Sequence, residues 1–458
     1  MNYIVYKTKN NRYAVKKEGG NKAIKIFSNK NDAFNYAKNL ADKSGGRVID
    51  TVVINNAVKE IKKRSKKSKT FKIVIIVILV IAILSAISYL CYYFIVKNKD
   101  KNNNSNNNSS NSLTTQPNTA IIYDDLQFHF MQLGNNKNGD AIYIKAGEND
   151  ILIDAGVSDT EKITSYMNKY VKDNKLEYVI VTHGDSDHIE GFYGSKAKPG
   201  IFYQYQVDNV IDFTYTTKTT TTYNNYVTAR ENVVKKGAKH YTAKECFNEE
   251  NGAKRSYDLT SNISMEILWN NYYFENTTNN ENNYSVITRF KYNDKYFLFT
   301  GDLEKEGEQK FVEYYSTTSF PDVSLYKAGH HGSKTSSNAD FLSLIKPEIC
   351  VVSCSAGNEE YTHNYLNVFP TQDFISRISN YTNQVYATSL YSKEGEKPLN
   401  GNIIVSSNGS DVSVSCSNNN TKIKDSEWFN STIYVDDKNI IVTSDIVNSK
   451  AVVYRKWE

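Results

Sequence analysis

The stretch VIVTHGDSDHIEG, Val179 to Gly191, decides how this chain is read. Four β-formers, Val179 to Thr182, run into a turn carrying His183, Asp185, Asp187 and His188. Alternate positions 183, 185 and 187 can point toward one centre while His188 turns toward a second. Four metal-ligating side chains in six residues, in a chain with only 7 histidines, read as a divalent-metal site rather than a polar surface loop.

Three further blocks follow the same logic of a polar residue at the end of an apolar run. They are LIDAG at Leu152–Gly156, FLFTGDLE at Phe297–Glu304 and YKAGHHGSKTSS at Tyr326–Ser337. With VTHGDSDH they resemble the H-x-[HD]-x-D-H pattern of the metallo-β-lactamase fold. The Asp185 variant is most similar to the metallo-hydrolase domain of the competence protein ComEC. The resemblance covers roughly residues 121–418 and implies an α/β (α+β) fold, a four-layer αββα sandwich with the site at the strand ends.

The resemblance also implies roles. Such a hydrolase holds two divalent cations about 4 Å apart and an acidified water between them. His183 and Asp185 would serve the first ion, Asp187 and His188 the second, and Asp302 would bridge. Of His330 and His331, either could be a ligand; the preferred reading makes His331 the ligand and His330 the acid or substrate contact. Asp187 and His330 are the expected catalytic groups, and Ser333, Lys334, Asn283 and His363 the expected substrate contacts. Three imidazoles with three carboxylates suit Zn²⁺ or Mn²⁺. The pattern departs from the wider fold between the first motif and Asp302. Only His240 is available there, in KKGAKHYTAKE, which reads as an exposed turn. His129 alternates within a strand and reads as structural.

A length of 458 residues suggests two or three units. The overall charge of +5 conceals an asymmetry: residues 1–101 carry 22 Lys/Arg against 6 Asp/Glu, the remainder 33 against 44. Between Ile73 and Val96 lie 24 residues without a charge. As a helix they would reach about 36 Å, enough to cross a bilayer. Eight Lys/Arg from Lys59 to Lys72 precede them. The positive-inside bias therefore predicts a single-pass protein of a bacterial cell membrane, N-terminus cytoplasmic and the larger acidic part outside. The Asn/Ser-rich segment 97–120 reads as a flexible tether.

Residues 1–56 predict a small cytoplasmic α+β domain, with strands at YIVYKT, RYAVKKEG and AIKIF and a helix opened by Asn31 and Asp32. It resembles a short bacterial family of unknown function. Residues 57–72 form a polybasic juxtamembrane segment, and 419–458 a β-rich tail with no assigned role. Cys350 and Cys354, about 13 Å apart along a strand, predict no disulfide with each other, and no disulfide partner is expected for any of the outer cysteines.

The expected reaction is hydrolysis of a phosphodiester or ester by a metal-activated water, with single-stranded DNA among the candidate substrates. One helix encloses no pore, so transport is excluded. The acidic outer part counts against tight duplex binding. A small or envelope-borne ester, lactone or β-lactam is the competing substrate class. A tethered, non-catalytic sensor is the third reading.

Overall fold

A computed structural model of the protein describes residues 3–8, 12–17, 20, 22–44, 48–50, 126–134, 138–359, 364–392, 397–436, 438–441 and 451–458. They belong to two compact units, one within residues 1–117 and one within 118–458. The basic segment 57–72, the apolar stretch 73–96, the tether 97–120 and His363 lie outside the described residues. Among the described residues no helix is long and apolar enough to cross a membrane.

The smaller unit contains β1 (Tyr3–Lys7), β2 (Tyr13–Lys17), β3 (Lys25–Phe27), α1 (Lys30–Lys43) and β4 (Val48–Asp50), with sheet order β3-β2-β1-β4. Ala33, Ala37 and Ala41, four residues apart, put one small-residue face of α1 in the same buried cluster as Val5 and Val15. The helix is capped by Asn29, whose side chain accepts from the Asp32 backbone N–H, so it opens two residues earlier than a cap at Asn31 would place it.

The larger unit is built from two eight-stranded sheets. In chain order its strands are β5 (Leu126–Phe130), β6 (Ile142–Ala146), β7 (Asn149–Ile153), β8 (Lys175–Ile180), β9 (Gln206–Asp212), β10 (Lys239–Thr242) and β11 (Ser256–Asp258). Next come β12 (Ile263–Ile267), β13 (Thr288–Tyr292), β14 (Lys295–Phe299), β15 (Leu325–Lys327), β16 (Ile349–Ala356), β17 (Gln384–Leu390), β18 (Lys397–Pro398), β19 (Ile403–Ser407) and β20 (Val412–Cys416). The first sheet runs β10-β9-β8-β7-β6-β5-β19-β20 and the second β11 to β18 in sequence.

Period-two alternation explains why the sheets stack. Phe297 and Phe299 of β14 turn inward, where their rings lie 4.7 and 5.3 Å from that of Phe128 on β5. Leu298 between them joins a second cluster with Phe311 and Phe341, from helices on the outer face. Each buried Phe contributes roughly 2–3 kcal/mol. A one-residue slip would exchange the two faces, so the register is strongly specified. Outer helices include α2 (Thr160–Met167), α3 (Ser186–Tyr193) and α4 (Thr221–Lys235) beside the first sheet. Beside the second are α5 (Lys305–Tyr315), α6 (Ala339–Ile345) and α7 (Gln372–Ile378).

Strand direction places the site. β7, β8, β9 and β10 are mutually parallel, as are β14, β15, β16 and β17. The segments leaving the carboxyl ends of β7, β8, β14 and β15 carry Asp154, His183–His188, Asp302 and His330–His331. Parallel α/β sheets present binding crevices at these ends.

Two expectations change. Residues 239–242 form β10 rather than an exposed turn, and His240 Nε2 lies 2.8 Å from Asp212 Oδ1. The tail is only partly β: it contains a helix at Glu427–Asn430, β21 (Ile433–Val435) and β22 (Ala451–Val453). Ile423 and Phe429 join the outer cluster of the second sheet, and Trp457 Nε1 donates to Asn383 Oδ1 at 2.8 Å.

Candidate metal centre

Beyond β8 the chain turns through Thr182–Asp185 into α3, whose first turn carries Asp187 and His188. Asp185 occupies the position before the helix, but its side chain makes no capping bond. The Asp187 carbonyl packs against the 139–156 region so tightly that a Cβ on Gly156 would lie 1.9 Å from it. Only glycine permits that approach.

Three imidazoles are fixed by the partner of their Nδ1. His188 Nδ1 lies 2.7 Å from Asp154 Oδ2, and His331 Nδ1 donates to the Ser353 carbonyl at 2.9 Å. The Thr182 hydroxyl gives its proton to Asp154 Oδ2 at 2.7 Å, so it accepts from His183 Nδ1 at 3.0 Å. With Nδ1 engaged on all three rings, Nε2 is the atom each can offer a cation once any proton on it is released. All three Nε2 atoms are buried, and none has a hydrogen-bond partner. An unpaired polar atom in the interior costs about 1–3 kcal/mol, and two of these three, on His188 and His331, face one centre.

Two carboxylates complete a set. Asp302 Oδ2 lies 3.2 Å from both His188 Nε2 and His331 Nε2, and Asp187 Oδ2 lies 3.3 Å from His331 Nε2. The ligand atoms of Asp187, His188, Asp302 and His331 all lie within 4.8 Å of one another. Four ligands about 2.0–2.2 Å from a tetrahedral ion would stand roughly 3.4 Å apart. The residues therefore fit a cation.

Charge leads to the same conclusion. Asp140, Asp154, Asp187 and Asp302 surround the centre, and Lys327 is the buried countercharge. Its Nζ contacts Asp140 Oδ2 at 2.5 Å, Asp302 Oδ1 at 3.1 Å and the Gly301 carbonyl at 2.9 Å. That leaves the site short of positive charge, which protons partly supply. Burial alone would lower the basicity of His331, but Asp302 and Asp187 outweigh it and raise its pKa to about 9. His188 is likewise raised well above the ordinary value, Asp302 and Asp154 overcoming burial. Asp302 is held well below the carboxylate range because His331, His188 and Lys327 outweigh its desolvation.

The turn after β15 is strained. His330 (φ 46°) and His331 (φ 52°) are consecutive non-glycine residues in the left-handed region, at about 1–3 kcal/mol each. Its neighbours hold it: Gly329 N–H donates to the Tyr326 hydroxyl at 2.9 Å, and Thr371 N–H to the Gly332 carbonyl at 2.9 Å. Buried Glu308 accepts from the Ser337 and Asn338 N–H groups.

His330 lies outside the four-ligand set. Its Nδ1 is 3.2 Å from Glu304 Oε1 and its Nε2 4.0 Å from Asp302 Oδ2. His183 Nε2 and Asp185 Oδ2 are 3.5 Å apart, to one side. Three of the expected substrate contacts make bonds within the chain. Asn283 Oδ1 accepts from the Glu304 and Gly307 N–H groups, tying down the start of α5. Lys334 is exposed and bonds Asn367 Oδ1 at 2.8 Å, and the Ser333 hydroxyl pairs with Thr335. His240 is held by Asp212, and His129 is buried between Gln127 and Tyr166. Burial pushes His129 down to about 3, so it stays neutral. Sequence reasoning missed Asp140, Asp154 and Lys327. The available signal was an acid closing the apolar run LIDAG and a lysine inside the apolar strand SLYKAG.

The chain matches the Metallo-beta-lactamase superfamily over residues 134–200. It also matches Sigma factor regulator N-terminal over 59–142, and an uncharacterized family conserved in bacteria over 3–51. ComE operon protein 3 of Bacillus subtilis (strain 168) is 33% identical over 90 residues, 19% of this chain and 11% of that protein. Competence protein ComA of Neisseria gonorrhoeae is 32% identical over 110 residues, 24% of this chain and 15% of that protein. The chain thus spans less than a sixth of either relative's length. Similar solved structures include the metallo-beta-lactamase fold protein YhfI from Bacillus subtilis, 9% identical, covering 60% of this chain and 98% of that one, TM-score 0.36. Another is CmlA, a diiron beta-hydroxylase from Streptomyces venezuelae, 8% identical, covering 58% and 53%, TM-score 0.37. The superfamily match and the two-sheet architecture give a mixed α/β metallo-β-lactamase-like fold, similar over part of its length to competence proteins.

Proposed function

We propose that the protein is a metal-dependent hydrolase that cleaves phosphodiesters outside a membrane to which residues 73–96 tether it. The observation that carries this reading is the convergence of the buried imidazole Nε2 atoms of His188 and His331 with the carboxylates of Asp187 and Asp302. Asp187, His188, Asp302 and His331 would hold a divalent cation, Zn²⁺ or Mn²⁺, which would supply Lewis-acid activation of water. Asp154, Thr182 and Ser353 hold the imidazoles in the ligating tautomer. Lys327 helps keep Asp302 ionised in a buried site. Glu304, whose carboxylate His330, Asn282 and Asn280 stabilise against its desolvation, orients His330. His330 then presents Nε2 at the rim, as a proton carrier for the leaving oxygen.

The opening beside the centre bears on the polarity of the substrate. A cleft of about 690 Å³ runs along Asp185, Thr217, Lys218 and the Thr277–Asn282 segment. Its lining of hydroxyls, amides, Lys218 and the carboxylates of Asp185, Glu281 and Glu306 suits a polar substrate better than an apolar ester. The full-length chain in detergent, supplied with Mn²⁺ or Zn²⁺, is expected to cleave bis(p-nitrophenyl) phosphate and to lose that activity in Asp187→Ala. Degradation of single-stranded DNA would extend the reading to a nuclease. Nitrocefin cleavage with the diester left intact would replace it with the lactam or ester reading. The match of residues 59–142 to Sigma factor regulator N-terminal favours a second reading, a tethered regulatory protein. Absence of turnover on all three substrates supports that one.

A further inference from the structure

The metal loop divides unequally. Asp187 and His188 belong to a four-ligand set, whereas His183 and Asp185 join no group of three or more metal-ligating side chains among the described residues. His240, the one other imidazole available to this side in the first half of the larger unit, is held by Asp212. A second cation here would have His183, Asp185 and at most a shared carboxylate. The residues present do not fit a second tight site.

Something else reaches that position. Lys218 Nζ forms a close ion pair with Asp185 Oδ1, and the side chain is 28% exposed. The loop that carries it is built for the purpose. Buried Glu281 accepts from Gly184 N–H at 2.9 Å, Thr216 Oγ1 at 2.7 Å, Thr217 N–H at 2.6 Å and Thr217 Oγ1 at 2.8 Å. One carboxylate thereby staples the Lys218 loop to the metal loop. Lys218 N–H donates in turn to Thr216 Oγ1 at 3.0 Å. Gly184 makes the approach possible: a Cβ there would lie 2.6 Å from Glu281 Oε1 and 3.3 Å from Lys218 Cγ.

We propose that the Lys218 ammonium takes the place of the second cation, so that the centre holds one tight divalent ion beside a fixed lysine. The inference rests on the metal-centre reading given under Proposed function. Lys218 neutralises Asp185 and lines the polar cleft. It can there direct a remaining N–H toward an anionic oxygen of the substrate. Glu281 is a positioning residue for Lys218.

The test is ion counting on the full-length chain, chelated and then titrated with Mn²⁺, with electron paramagnetic resonance as the second readout. Wild type is expected to take up one tight ion per chain and to show no exchange-coupled pair. Lys218→Ala should bind a second ion about tenfold or more tightly than wild type does, and develop the coupled signal. Lys218→Arg should behave as wild type. Two tight ions in wild type, or indistinguishable titrations of wild type and Lys218→Ala, would overturn the proposal and leave the hydrolase reading standing. No ion on either protein would remove the metal centre and this proposal with it.

Discussion

Two sides of one six-residue turn, His183–Asp185 and Asp187–His188, carry the same residue types and meet different surroundings. On the Asp187–His188 side the second half of the chain supplies Asp302 and His331, and a buried layer of Asp154, Asp140 and Lys327 supports them. On the other side Asp185 is paired with a lysine. A motif offers donors; the layer behind them decides which become a tight site.

The largest expected contrast comes from removing a shared ligand. Asp302→Ala should lose the tight ion and cost activity on the order of 10³-fold, measured by metal content and turnover together. Retention of both would place the centre elsewhere. Next is the supporting layer. Asp154→Asn disturbs the Nδ1 partner of His188 and should weaken metal affinity by about 10–100-fold. Asp185→Asn should change the affinity for that ion by less than about threefold. Equal losses in the two variants would erase the difference between the sides.

Proton bookkeeping sharpens the comparison further. In the metal-free protein His331 sits at about 9 and His188 well above its ordinary value, so both carry protons at pH 7.5. Loading the centre should therefore release up to two protons, seen as a buffer-dependent heat in calorimetry. A heat independent of the buffer's ionisation enthalpy counts against these two ligands.

The smallest effect concerns Glu308 behind the His330–His331 turn. Burial outweighs the Ser337 and Asn338 N–H groups and raises it to about 7. The native state then binds more protons than the unfolded chain between about pH 4.5 and 7. Stability should accordingly fall as pH rises through that window and level off above it, by up to roughly 3 kcal/mol. Thermal melts of Glu308→Gln should lack this slope. An unchanged slope would assign it to another group.

Much of this was legible because each element of the site ends an apolar run. THGDSDH follows Val179–Val181, Asp302 follows FLFTG, and the histidine pair follows SLYKAG. Such a pattern marks a carboxyl-terminal strand end whatever the partner. The supporting layer was not legible, since its partners are remote. Asp154 meets Thr182 28 residues away, and Glu281 meets Thr216 and Thr217 65 and 64 residues away. Nothing in TYTTKTTTT, Thr214–Thr222, shows that Glu281 will bond the backbone beside Lys218 at its centre. The bonds that Asn283 and Lys334 make within the chain were hidden for the converse reason. Both are polar residues beside a motif, and nearer partners, the start of α5 and Asn367, already take them.

The most direct measurement is the anomalous scattering of a Mn²⁺- or Zn²⁺-loaded crystal. One strong peak is expected within bonding distance of His188 Nε2, His331 Nε2 and the carboxylates of Asp187 and Asp302. A peak bound to His183 and Asp185 alone, or no peak between the sheets' carboxyl ends, would contradict it.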